Sequence, residues 1–122
     1  MKLIFLLLLA LESEATTYGY GEKMCCDIGN PCACDTGAIT YSGELFDAEK
    51  ATAAIPSPTQ FVFTPVDLMF RVEGGPCVAI RINDKSNPRW IGTRGLDLSP
   101  KAVELLTGKR TSNFKQKIEL CQ

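Results

Sequence analysis

Three acidic side chains and one tryptophan stand where acid–base chemistry would need them. Asp84 ends the run Val78-Ala79-Ile80-Arg81-Ile82-Asn83-Asp84, Asp97 lies two residues before Ser99-Pro100, and Glu44 sits in Gly43-Glu44-Leu45-Phe46-Asp47. A carboxyl that follows a buried strand is partly desolvated. This raises its pKa towards working pH and lets it give a proton to a leaving oxygen and then take one back. The plainer role for Asn83 and Asp84 is to bond the amides of their own turn. For Asp97 it is to face the amides and dipole of the helix that follows, and for Glu44 it is a solvated charge at a strand end. Trp90, in the polar stretch Lys85–Gly95, offers a flat apolar face for stacking, or a cover for the open end of a β structure. The hydroxyls of Thr16, Thr17 and Tyr18 are available for hydrogen bonding near the same elements.

Composition narrows the choice. The chain has no histidine, so a serine or cysteine nucleophile would lack its usual base. Glu73-Gly74-Gly75 precedes a strand and opens no helix, so it is not a phosphate loop. Removing Lys2, Glu12 and Glu14 from 13 basic and 14 acidic residues leaves 12 of each. A neutral chain makes no field to gather nucleic acid or an anionic membrane. No cofactor is implied.

Residues 1–15, MKLIFLLLLALESEA, read as a secretory signal peptide, with a lysine, an apolar run Leu3–Leu11 and small residues at Ser13 and Ala15. The run is too short to span a bilayer, and no cysteine near the cleavage region marks a lipid attachment. The expectation is a secreted or periplasmic protein whose single domain, residues 16–122, works as a monomer. Six cysteines, Cys25, Cys26, Cys32, Cys34, Cys77 and Cys121, fall in the exported part, which argues for disulfides. Fifteen pairings are open. The crowding of four between Cys25 and Cys34 predicts bridges from that cluster to Cys77 or Cys121. A zinc site is the rival, disfavoured without histidine and without a C-x2-C knuckle.

The elements that must position these residues are short. TTYGYG is β-prone, and Glu22–Gly37 reads as an irregular, cysteine-rich loop. AITYSGELF predicts a short strand, with Asp47 capping one helical turn over Ala48-Glu49-Lys50. IPSPTQ reads as a connection. The runs from Phe61 and from Val78, split by Glu73-Gly74-Gly75-Pro76, predict a hairpin. Ser99, Pro100 and Gly108 mark the start and stop of a helix, and KQKIEL alternates as a last strand. About six strands with one or two short helices predict a mainly β fold, a small closed barrel.

In order along the chain, Gly43–Asp47, Thr52-Ala53-Ala54, RVEGGPCVAIRIND and GLDLSPKAVELL resemble the double-psi β-barrel domain of the rare lipoprotein A (RlpA) family. The resemblance covers essentially all of residues 16–122. The chain start ATTYGYG and RGLDLSPKAVELL are similar to the first domain of expansins. The first resemblance implies a six-stranded double-psi barrel and a lytic transglycosylase that cuts peptidoglycan glycan strands, with Asp84 and Glu44 catalytic. Asp97, Trp90, Thr16, Thr17, Tyr18 and Asn83 would then bind substrate. The second implies a protein that binds wall polysaccharide and loosens it without cutting. One position departs from the RlpA pattern: Ile55 stands where that family has histidine after Thr-Ala-Ala, which moves weight towards binding alone. A disulfide-rich inhibitor or effector is the third class.

Overall fold

The computed structural model describes residues 2–18 and 37–122. The elements run α1 (Leu3–Leu11), β1 (Thr16–Thr17), β2 (Thr52–Pro56), β3 (Val66–Arg71), β4 (Val78–Ser86), a 3₁₀ turn (Pro88–Trp90), β5 (Asp97–Leu98), α2 (Pro100–Thr107) and β6 (Glu119–Leu120). The six strands form one mixed sheet in the order β1-β5-β2-β4-β3-β6, curled into a half-barrel. β1 runs parallel to β5 and β2 parallel to β4, while β2–β5, β3–β4 and β3–β6 are antiparallel. A two-way backbone bridge between Ala15 and Gln116 ties the start of β1 to the chain just before β6.

The hairpin forms as the sequence dictates. Phe70 faces Val78, and Gly75 N–H closes the turn onto Val72 O at 2.9 Å, with Gly74 at φ +77°. Only glycine takes that backbone conformation without strain. α2 also follows its signals: Ser99 Oγ accepts from Ala102 N–H, and Gly108 ends the helix at φ +82°. Four expectations need correction. β2 continues through Ile55 and Pro56 instead of ending in a connection, because Pro56 still aligns with Ser86 of β4. The run from Phe61 becomes strand only at Val66, because Pro65 just before it has no N–H for a ladder. Ala48–Lys50 make a turn, with Asp47 Oδ1 accepting from Glu49 N–H, and no helix. Strand β6 is confined to two residues.

The core gathers Ala53 and Ile55 of β2, Ile80 and Ile82 of β4, Phe70 of β3, Leu96 and Leu98 about β5, and Ala102, Val103 and Leu106 of α2. Leu6, Leu7 and Ala10 of α1 belong to the same cluster, so the segment read as a signal sequence packs as a nine-residue helix against this core. Gly95 allows its close approach: a Cβ there would meet Ala10 O and Ser13 O within 3 Å. Among the described residues no helix is long and apolar enough to cross a membrane.

Cys77 and Cys121 are bonded to each other, which corrects the expectation that each pairs with the upstream cluster. Each cysteine adjoins a partner of Phe70, since Phe70 pairs with Val78 on one side and Leu120 on the other, and Cys121 N–H bonds Met69 O at 3.0 Å. Cys25, Cys26, Cys32 and Cys34, with the loop that holds them, lie outside the described residues. Among the described residues no cluster of potential metal ligands occurs.

Candidate functional site

The site grows from one irregularity in β4. Ala53 of β2 aligns with Ile82, but Ala54 aligns with Asp84, so Asn83 is an extra residue in the β4 ladder. A bulge of this kind re-aims the side chains that follow it. Ile80 and Ile82 point into the core, and strict alternation would send residue 84 after them. The extra residue puts Asp84 on the other face. Asp97 reaches that face by simple alternation between the core residues Leu96 and Leu98, and Ala54 does so between Ala53 and Ile55.

Ala54 pairs with Asp97 on one side and Asp84 on the other, and Asp97 pairs in turn with Thr16. A row therefore crosses four strands: Thr16, Asp97, Ala54, Asp84. Two strand spacings separate the two acids, about 10 Å between their Cα atoms, and the side chain between them is a single methyl. Ala54 itself is buried, and the Tyr18 hydroxyl lies near both acids.

Each acid is held differently. Asp84 Oδ1 accepts from the main-chain N–H groups of Tyr41 (2.9 Å) and Lys85 (2.8 Å), which fixes the carboxylate at the edge of the row. Asp97 Oδ1 accepts from Thr16 Oγ1 at 2.8 Å. Burial raises the Asp97 pKa, the Thr16 hydrogen bond and the charge of Arg94 oppose the rise, and the charge of Asp84 adds to it. The Tyr18 hydroxyl is buried beside both acids. Burial first, then the charges of Asp84 and Asp97, push its ionisation above the ordinary tyrosine range. Thr52 and Asp84 are its polar neighbours, but neither meets hydrogen-bond geometry: Tyr18 Oη, Thr52 Oγ1 and Asn83 Oδ1 are buried without a partner among the described residues. Such atoms are costly unless something else satisfies them.

The remaining predicted residues separate into two groups. Thr16, Asp97 and Trp90 line one cavity of about 200 Å³ with Ser86, Asn87, Arg94 and Gly95. Glu44 is engaged elsewhere: its two oxygens accept from Arg81 Nε and Nη2 at 2.8–3.1 Å and from Asn83 Nδ2 at 2.9 Å. The Arg81 hydrogen bonds, then that of Asn83, hold its pKa below the usual glutamate value. This is a carboxylate that stays charged and pins the Thr40–Glu44 turn to β4. Thr17 Oγ1 is spent on Leu98 O at 2.7 Å. Ile55, at the position of the RlpA-family histidine, is fully buried in the core, one residue along from the Ala54 face.

Trp90 is half-buried, and the guanidinium carbons of Arg94 and Arg89 lie 3.5 and 4.4 Å from its ring centroid. Sequence reasoning missed Arg94, and also an aromatic shelf at the Asp84 end. There the exposed Tyr41 stacks on Phe63 at 5.6 Å, Phe63 on Phe61 at 5.9 Å, and Lys85 Nζ lies over the Tyr41 ring. The pattern Phe61-Val62-Phe63 signalled a strand, and nothing in it pointed to Tyr41 twenty residues earlier. Ala54 was equally hidden, since it matters for what it lacks.

Comparison with family models finds no match to this chain, and comparison with curated proteins finds none either.

Proposed function

We propose that the protein acts on cell-wall glycan as an exported double-psi β barrel of the RlpA type, cutting the strand by intramolecular transfer. The observation that carries this reading is the row Thr16, Asp97, Ala54, Asp84 on the face away from the core. Two carboxyls in unlike environments flank the buried Ala54, with an aromatic shelf beyond one of them and the Tyr18 and Thr52 hydroxyls buried without a partner among the described residues. The parallel β1–β5 and β2–β4 pairings are consistent with the interlocked strands of such a barrel.

The environments favour a division of labour. Asp97, whose burial favours the protonated form, gives its proton to the glycosidic oxygen as the bond from that oxygen to the anomeric carbon breaks. The 6-hydroxyl of the same sugar attacks that carbon and passes its proton to Asp84, leaving a 1,6-anhydro end. No water is consumed, and solvent returns the proton to Asp97 and removes the other from Asp84. This moves the proton donor from Asp84, where the sequence placed it, to the more buried acid. Glu44, committed to Arg81, holds the turn that supplies the Tyr41 amide.

A second reading, expansin-like binding without cleavage, draws support from a specific feature. Asp84 Oδ1 is already occupied by two amides, and the histidine position holds a core isoleucine. The experiment is digestion of peptide-free peptidoglycan followed by mass spectrometry. Anhydro-muramyl ends that disappear in Asp97→Asn and in Asp84→Asn support cleavage. Retention of the polymer without such ends supports the second reading, and absence of both cleavage and retention overturns the glycan proposal and points to the inhibitor class.

A further inference from the structure

The end of the groove next to Asp97 is chemically unlike the rest. The cavity lined by Thr16, Asn87, Trp90, Arg94 and Asp97 shares Thr16 and Arg94 with a neighbouring cavity of about 330 Å³, whose other lining residues are Glu14, Thr93 and Lys115. The two cavities are neighbours, with Thr16 and Arg94 common to both. Arg94 is exposed, and no carboxylate of the described residues is within ion-pair distance of it or of Lys115. The salt bridges of the described residues join other arginines and lysines.

Arg94 is nonetheless well oriented. Its backbone N–H bonds Trp90 O at 2.9 Å, closing the turn that follows the 3₁₀ segment, and its guanidinium carbon lies over the indole, 3.5 Å from the centroid. A stacked guanidinium keeps its in-plane N–H groups free, and their fork matches the two oxygens of a carboxylate. The ring that sequence analysis offered to a sugar is therefore already engaged by two guanidiniums, Arg94 at 3.5 Å and Arg89 at 4.4 Å. Around the two cavities Arg94 and Lys115 stand near Glu14 and Asp97, and Glu14 belongs to the segment read as a signal sequence.

From this geometry we infer that the groove selects a glycan bearing carboxylates, with Arg94 clasping an acidic substituent, Lys115 adding charge beside it, and Trp90 acting as the positioning residue for Arg94. The inference rests on the glycan reading above and adds the class of sugar. Thr16 and Asn87, at the same end, are placed to meet the ring hydroxyls of that unit.

The test uses the purified full chain and two polymers that differ in one group: polygalacturonate, and the same polymer with its carboxylates reduced to primary alcohols. Binding is measured by affinity electrophoresis or calorimetry. Tighter binding of the acidic polymer, cut about tenfold by Arg94→Ala and by a smaller factor by Lys115→Ala, is the expected result, since a bidentate charge-assisted contact is worth roughly one decade in affinity. Trp90→Ala should lose the preference for the acidic polymer, and Trp90→Phe should keep most of it. Equal binding of both polymers overturns the carboxylate subsite and leaves the glycan reading intact. Equal binding of polyglutamate also overturns it, because then charge alone is read. Binding of neither polymer removes this inference, and failure on peptidoglycan as well removes the glycan reading with it.

Discussion

Ser99→Ala should destabilise the protein far more than a lost hydroxyl on a surface helix would. Ser99 is fully buried, and its Oγ makes three contacts: it accepts from Ala102 N–H at the start of α2, accepts from Thr52 N–H at 3.0 Å, and donates to Lys50 O at 2.7 Å. Loss of the helix cap costs about 1 kcal/mol. The Thr52 N–H is left buried and unpaired, and Lys50 O loses a donor, which together add about 2 kcal/mol. The total of about 3 kcal/mol is a large share of the roughly 5–15 kcal/mol that stabilises a domain, and corresponds to a fall in Tm of about 10 °C for a chain of this size. Urea unfolding followed by tryptophan fluorescence measures it. The backbone bond from Ser99 N–H to Thr52 O remains, so the Asp97–Ala54 register should survive, and polymer binding at low temperature should be close to that of the parent. A loss below about 1 kcal/mol would refute the view that this hydroxyl fastens β2 to the β5–α2 junction.

Cutting the Cys77–Cys121 bond by the double change to serine should cost about 4 kcal/mol by chain entropy, because the bridge closes a sequence separation of 44; chemical denaturation under non-reducing conditions reads it. Asp97→Asn should raise Tm at neutral pH. The folded pKa of Asp97 is raised by burial, so between the unfolded and folded values the native state holds the extra proton, and native stability falls as pH rises through that window. The gain in Asp97→Asn should vanish below the unfolded carboxyl value of about 4, and paired melts across pH test it. Glu44 behaves oppositely, since Arg81 lowers its folded pKa. Its stabilisation is present above the unfolded value of about 4.3 and lost as pH falls through the folded one. Glu44→Gln should therefore flatten the acid limb of the stability curve, by less than about 1 kcal/mol because the pair is over a third exposed.

Much of the framework was legible in local chemistry. The α2 boundaries were readable because Ser99, Pro100 and Gly108 act on the nearest turn, and the β3–β4 hairpin because two glycines sit between apolar runs. What stayed hidden was set by register between distant strands. No local signal says that Asn83 is skipped by β2, that Ala54 stands between two acids, or that Cys77 bonds Cys121. Glu44 and Asp84 look alike as lone carboxylates in sequence. Arg81 and Asn83 of β4 take up the first, while the main-chain amides of Tyr41 and Lys85 hold the second. The aromatic face of Trp90 was visible as a stacking surface, but Arg94, four residues on, turned out to occupy it.

The extra asparagine in β4 makes the direction of Asp84 depend on the bulge. Closing that bulge with Asn83 kept would set Asn83 opposite Ala54 and turn the Asp84 carboxyl to the side of Ile80 and Ile82, where its solvation could not be replaced. Deleting Asn83 would instead leave Asp84 opposite Ala54, so loss of that one residue should disturb the ladder less than loss of its neighbour Ile82.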